Sequence, residues 1–256
     1  MTTCKACNDE LTLTVDTEES GGEEQQQTVP DDLHLPCNCH FHWQCLMDQS
    51  PQIAVSLSCP SCNTYLPSNP AGPSATNAFL QTSQAQSQIL TRYTNEGGVQ
   101  EGLDILPLIT EEAFFAANPA GRPARAMHTM AAEGDVSGIL DVLADADADE
   151  DIDITATGLL PWQDPLNGGK SALHVAIEAR QEEVFWLLLW LGSAVPKEVF
   201  PEAVIQSAEG MGLPRREVPA AEDVRYVKDD QGRSPADVSL AVGAPFSNYA
   251  QKGLLN

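Results

Sequence analysis

All seven cysteines of this 256-residue chain lie within the first 62 residues, and with one histidine they form eight closely spaced donors. The donors run Cys4-x2-Cys7, Cys37-x-Cys39, His42-x2-Cys45 and Cys59-x2-Cys62. Thiolate and imidazole are the ligands zinc takes in structural sites, and a Cys-x2-Cys turn offers two of them to one ion. Eight donors fill two four-coordinate sites and leave no cysteine over. Filled sites have no open position for an activated water, so the chemistry expected is structural rather than hydrolytic. His40 is an alternative donor to Cys39, although the register to His42 favours the cysteine. His34 and His40 otherwise read as solvated or packing residues.

A disulfide-stapled secreted module is the competing use of so many cysteines. The opening MTTCKACNDE has no apolar stretch of the kind that directs secretion, so a reducing intracellular setting, cytoplasmic or nuclear, and metal binding are expected. Lys and Arg number 13 against 37 Asp and Glu, a formal charge of -24. Such an excess of acid disfavours phosphate backbones and anionic membrane surfaces, so neither nucleic acid nor membrane is an expected partner. The longest apolar stretch, Val184 to Val195, is too short to span a bilayer.

The elements that must position these donors fall in a module over residues 1–67. Within it, Thr14 to Pro30 is polar, acidic and glycine-containing and reads as a disordered loop between ligand pairs. Residues 68–109, which begin SNPAGPSATNAFLQTSQAQSQ, read as a polar, largely disordered linker. A short helix capped by Thr110-Glu111-Glu112 is expected to stop at Asn118-Pro119. For a module of 67 residues metal should dominate folding, because one structural zinc contributes roughly 10–16 kcal/mol in finger peptides.

Beyond Arg122 a phrase repeats. Gly169-Lys170-Ser171-Ala172-Leu173-His174-Val175-Ala176, followed by Val184, Leu187-Leu188-Leu189 and Gly192, resembles the ankyrin repeat. Weaker copies are Met127 to Asp135 and Gly232 to Val238. An insertion at Gly158 to Gly168 accounts for the wide first spacing, and a degenerate unit over Lys197 to Val218 would fill the second. Residues 110–256 are therefore expected to form an all-α ankyrin solenoid of about three to four repeats, a protein-binding architecture.

The ligand pattern itself, Cys37-Asn38-Cys39-His40-Phe41-His42-Trp43-Gln44-Cys45 with Cys59-Pro60-Ser61-Cys62, resembles the RING finger, close to its RING-H2 form with cysteine as fourth ligand. PHD and RING-CH fingers share the ligand order but have a longer gap before the histidine. The resemblance implies a small zinc-stabilised α+β domain with a cross-braced pair of ions. One ion would take Cys4, Cys7, His42 and Cys45, and the other Cys37, Cys39, Cys59 and Cys62. It further implies a ubiquitin-protein ligase in which Ala6, Leu46 and Pro60 face a ubiquitin-conjugating enzyme while the repeats recruit a protein substrate. Ala6 is smaller than the family's usual residue, Gln49 stands where tryptophan is common, and Asn63 stands where many active members carry a cation. A non-catalytic scaffold is the other reading.

Two further patterns dissolve on inspection. Asp145, Asp147, Asp149, Glu150, Asp151 and Asp153 suggest calcium, but an EF-hand starting at Asp145 would need glycine where Glu150 stands and glutamate where Ala156 stands. Gly168-Gly169-Lys170-Ser171 mimics the end of a phosphate-binding loop without the upstream glycine.

Overall fold

The computed structural model describes residues 2–18, 24–68, 87–148 and 154–255. The chain is mixed α/β, with 11 α-helices among the described residues, and divides into two units, Met1–Ala117 and Asn118–Asn256. Among the described residues no helix is long and apolar enough to cross a membrane.

In the first unit, Leu11 to Val15 and Thr28-Val29 bring leucine, threonine and valine, residues that suit a pleated ladder. They form an antiparallel hairpin of β1 (Thr12–Glu18) and β2 (Glu24–Pro30), with Leu13 opposite Val29 and Thr14 opposite Thr28. The disorder expected from Thr14 to Pro30 is not found in residues 14–18 and 24–30, where the β-forming alternation pairs the acidic stretch into a ladder, and residues 19–23 lie outside the described residues. Strand β3 (Asp32–His34) then pairs with β4 (His40–Phe41) and with β5 (Leu90–Asn95), which pairs with β6 (Gly98–Asp104). The result is an antiparallel sheet of order β4-β3-β5-β6.

Strands β5 and β6 lie inside the stretch expected to be a disordered linker. Asn95-Glu96-Gly97-Gly98 makes the turn, and β5 registers Tyr93 against Leu33 and Arg92 against His34. The expected linker over 69–86 lies outside the described residues. Helices α1 (Trp43–Met47) and α2 (Ser50–Ser56) follow β4, and α3 (Leu106–Ala117) packs against α2. Helix α3 starts earlier than its Thr110 signal suggested. The Asp104 carboxylate accepts the Leu106 and Ile89 N–H groups at 3.1 and 3.0 Å, and Thr110 lies inside the helix, donating to the Leu106 carbonyl.

Leu33, Leu35, Phe41, Leu46, Ile53, Leu66, Ile89, Ile105 and Ile109 are buried in one core. At about 1.5–3 kcal/mol each, this burial is worth roughly 15–25 kcal/mol before entropy is counted. The unit gains this core by running on to Ala117.

The second unit stacks three helix pairs: α4 (Gly121–Glu133) with α5 (Val136–Ala148), α7 (Ala172–Glu178) with α8 (Glu182–Gly192), and α10 (Pro235–Val242) with α11 (Phe246–Gln251). A short α6 (Ala156–Leu159) and the two-residue strands β7 (Gln163–Asp164) and β8 (Lys170–Ser171) fill the insertion between the first two pairs. Gly134 ends α4 with φ 84°, a left-handed conformation that suits glycine, and Asp135 caps α5 through the Gly138 N–H at 2.9 Å.

Ser171 and His174 form a capping box on α7, and Ser234 and Asp237 form another on α10. The His174 Nε2–H also donates to the Arg233 carbonyl at 3.1 Å, tying the second pair to the third. Helix α7 packs directly on both α4 and α10, so nothing is stacked between the second and third pairs. The unit expected over Lys197 to Val218 is a single helix, α9 (Glu202–Gly210), attached to α8. Without a second helix it does not make the helix pair that a place in the row requires. Gly192 is required by a close approach, since a Cβ there would lie 2.7 Å from Val224 Cγ1. Of the acidic run, Asp145 and Asp147 sit in the last turns of α5, and residues 149–153 lie outside the described residues.

Candidate metal centre

The eight sequence-nominated donors form two clusters: Cys4, Cys7, His42 and Cys45, and Cys37, Cys39, Cys59 and Cys62. Within each, the ligating atoms all lie within 4.8 Å of one another. His34 and His40 belong to neither; they stack on each other with ring centroids 4.3 Å apart, and His40 Nδ1 bonds the Asp32 carboxylate at 2.7 Å.

Two chain turns of one design build half of these sites. In Cys4 to Asn8, the Asn8 N–H donates to the Cys4 carbonyl at 3.0 Å and the Cys4 N–H to the Asp9 carbonyl at 2.9 Å. In Cys59 to Asn63, the Asn63 N–H donates to the Cys59 carbonyl at 2.9 Å and the Cys59 N–H to the Thr64 carbonyl at 2.9 Å. Asn8 and Asn63 adopt φ 69° and 56°, a left-handed conformation that asparagine tolerates better than most residues. An isolated bridge closes each turn at the same offset, Thr3 with Glu10 and Ser58 with Tyr65. The motif Cys-x2-Cys-Asn occurs twice in the sequence, and that repetition was the available signal for both asparagines.

A tetrahedral zinc with bonds of about 2.3 Å to sulfur and about 2.0 Å to nitrogen sets its ligands roughly 3.5–3.8 Å apart. His42 Nδ1 lies 3.3 Å from Cys7 Sγ and 3.8 Å from Cys45 Sγ, which brackets that spacing. The other ring nitrogen settles the tautomer: His42 Nε2–H donates to the Glu10 carbonyl at 2.8 Å, leaving the Nδ1 lone pair directed into the cluster. Both clusters can hold a metal ion, and their sulfur-rich donors suit zinc, which would supply cross-links between distant stretches of chain.

The electrostatics are those of crowded thiols. Burial works against ionisation of Cys4, but hydrogen bonds from the Cys7, His42 and Ala6 backbones outweigh it and bring the thiol down to about 7. Burial and then the charge of Cys4 push Cys45 up to about 12. In the second cluster, the Thr64 hydroxyl and backbone bring Cys62 down to about 6, whereas burial raises Cys37. Each cluster thus has one thiol that ionises readily and a neighbour that resists, an arrangement that a bound divalent cation would relieve by favouring the thiolates.

Behind the first cluster lies a polar support that the sequence did not reveal. Asp31 is 1% exposed, and its two carboxylate oxygens both accept the Trp43 N–H at 3.2 Å, at the start of α1 and one residue from His42. The Tyr93 hydroxyl donates to the same carboxylate at 2.9 Å, and the Tyr93 ring packs on Trp43 with centroids 5.0 Å apart. Tyr93 is 62 residues from Asp31 in sequence, so only the pairing of β5 with β3 brings them together.

The residues expected to face a conjugating enzyme separate. Ala6 is exposed and Pro60 half-buried, but Leu46 is 0% exposed. Leu46 belongs to the core with Leu33, Phe41 and Ile53 and is not a contact residue. It occupies the inward face of a helix only five residues long, and its apolar character reflects packing. Gln49 is half-buried. Compared with known proteins, the chain matches no family model, no curated protein and no solved structure.

Proposed function

We propose that the chain is a two-zinc RING-type ubiquitin-protein ligase whose second unit is an ankyrin repeat domain that recruits the protein substrate. The observation that carries the reading is the interleaving of the two ligand sets. The first cluster takes sequence ligands one, two, five and six, and the second takes three, four, seven and eight. Two sequential fingers would each take four consecutive ligands. In support of the second half, the Ser171–His174 capping box, the His174 bridge to Arg233 and the row of α4, α7 and α10 suit stacked repeats. On this reading the metals shape a docking surface that includes Ala6 and Pro60, and ubiquitin passes from the conjugating enzyme to a substrate lysine without an intermediate on this chain.

Zinc-loaded protein mixed with a panel of ubiquitin-charged conjugating enzymes should accelerate discharge onto free lysine. Pro60→Ala should slow that discharge while two zinc ions remain bound. Discharge at the uncatalysed rate across the panel would refute the ligase.

A non-catalytic zinc scaffold is the second reading, and Asn63 favours it. That position closes the second ligand turn in a left-handed conformation, so it serves backbone geometry where active family members are expected to carry a cation. Nearby positive charge is scarce as well, since Lys5 and Arg92 are the only lysine or arginine residues before Arg122.

A further inference from the structure

Helix α9 stands apart from the row of stacked pairs, and between it and α8 lies a cavity of about 320 Å3. Trp186 and Trp190 wall it from α8, Ala203, Val204 and Ser207 wall it from α9 with Met211 just past the helix end, and Val136 of α5 reaches it as well. These α9 positions recur at helical spacing and make one small, mostly apolar face, of which Ala203 and Ser207 are exposed. Met211 is 44% exposed and Val199, just before the helix, 52%. Two apolar walls thus face each other across a space large enough for a bulky side chain and within the size range of ligand pockets.

Charge identifies the kind of occupant. The cavity is lined by one ionisable side chain, the exposed Glu183 carboxylate. Helices α8 and α9 carry Glu182, Glu183, Glu202 and Glu209 and no lysine or arginine. Lys197 is paired with Glu209, and Arg215, over the Trp190 ring, donates to the Leu189, Trp190, Ser193 and Val195 carbonyls. We propose that the α8–α9 groove binds a basic, amphipathic segment of a partner protein, inserting one bulky apolar side chain between the tryptophan wall and α9 while a flanking lysine or arginine meets Glu183. Apolar anchoring supplies most of the affinity, and the acidic rim supplies orientation and association rate. A second copy of this chain, with its formal charge of -24, is the wrong partner electrostatically. This deepens the recruiting role proposed above and rests on it for its biological meaning.

The test is a random 12-residue peptide library displayed on phage, panned on the full zinc-loaded chain, with enriched peptides synthesised and titrated by fluorescence polarisation. The enriched sequences should share a bulky apolar residue with lysine or arginine within four positions. Ala203→Trp and Ser207→Trp, which fill the groove with their own indoles, should weaken binding at least tenfold without lowering the thermal midpoint. Glu183→Lys should weaken it several-fold and flatten its salt dependence. No enrichment, a consensus lacking cations, or equal binding to Ala203→Trp would overturn the proposal. So would unfolding of both tryptophan variants, or a dimer that Ala203→Trp dissociates. The assay contains no conjugating enzyme, so lost discharge with intact peptide binding rejects only the ligase, and the converse rejects only the groove.

Discussion

Replacing Tyr93 by phenylalanine removes one hydroxyl from the first unit and keeps the ring packed on Trp43. The lost interaction is a hydrogen bond at 2.9 Å to a carboxylate that is 1% exposed. Hydrogen bonds to charged groups contribute about 1.5–3 kcal/mol, and a buried charge deprived of a donor is costly. Asp31 passes this loss to the metal centre, because its remaining acceptor contact is the Trp43 N–H beside His42. A loss of about 2 kcal/mol borne wholly by the metal-bound state lowers affinity about 30-fold, within the 10–100-fold range for residues that support a ligand.

The assay is metal release from full-length protein into excess chelator, repeated with cobalt, whose visible bands differ between three sulfurs with one nitrogen and four sulfurs. Tyr93→Phe should speed release from the site of Cys4, Cys7, His42 and Cys45 by about 10-fold or more and leave the four-cysteine site close to wild type. Asp31→Asn should go further in the same direction. Equal acceleration at both sites would mean general loosening of the unit, and unchanged release would mean that Asp31 does not transmit the loss. Either result refutes the reasoning. The wild-type tyrosine carries its own signature: burial, then the neighbouring Asp31, raises Tyr93 to about 12, so it should ionise late in an ultraviolet titration.

The other predictions concern packing, backbone, protonation and metal. Leu46→Ala should cost about 2–5 kcal/mol, as for a buried leucine, and lower the first unit's unfolding midpoint in urea, whereas Pro60→Ala, at a half-buried turn position, should change it far less. Asn63→Val should weaken zinc retention in the four-cysteine site while Asn63→Gly preserves it, since β-branching resists positive φ, and competition with a zinc-sensitive dye distinguishes them. Removing metal with a chelator should abolish the first unit's unfolding transition and spare the second unit's, because the two cores share no residue; calorimetry reads both.

In the second unit, His128 is 2% exposed, has no hydrogen-bond partner on either ring nitrogen among the described residues and packs edge-on to Trp162 at 5.2 Å. Burial, only partly opposed by the Asp164 charge, lowers it to about 4, below an unfolded value of about 6.5. The unfolded chain therefore binds the proton first, and stability present above pH 6.5 drains away as pH falls towards 4, by about 3 kcal/mol. His174 is lowered as well, again chiefly by burial, while Asp223 and Asp229 are held below the usual carboxylate range and lose their contribution only at lower pH. Urea midpoints measured at intervals from pH 7 to 4.5 should decline in the wild type and decline much less in His128→Leu, and identical slopes would refute the assignment.

Metal donors were legible in the sequence because their information is local. A Cys-x2-Cys turn declares itself within a few residues. Strand β5 was not legible, because what makes Leu90 to Asn95 a strand is its pairing with Asp32 to His34, far away in sequence. Leu46 shows the converse error. An apolar residue beside a ligand carries the same letter whether it faces a partner or the core, and only the sheet and helices around it settle which. The single helix found where a repeat unit was expected has a similar cause. Val199, Ala203, Val204 and Ala208 have helical spacing, yet spacing reports an apolar face and not its partner. Here that face meets the tryptophans of α8 across an open groove, while α7 and α10 close the row without it. Misreadings of this kind mark positions where long-range packing outweighs local pattern. Asp31, Tyr93 and the α8–α9 groove all lie at such positions, and for that reason they repay mutation sooner than the ligands themselves.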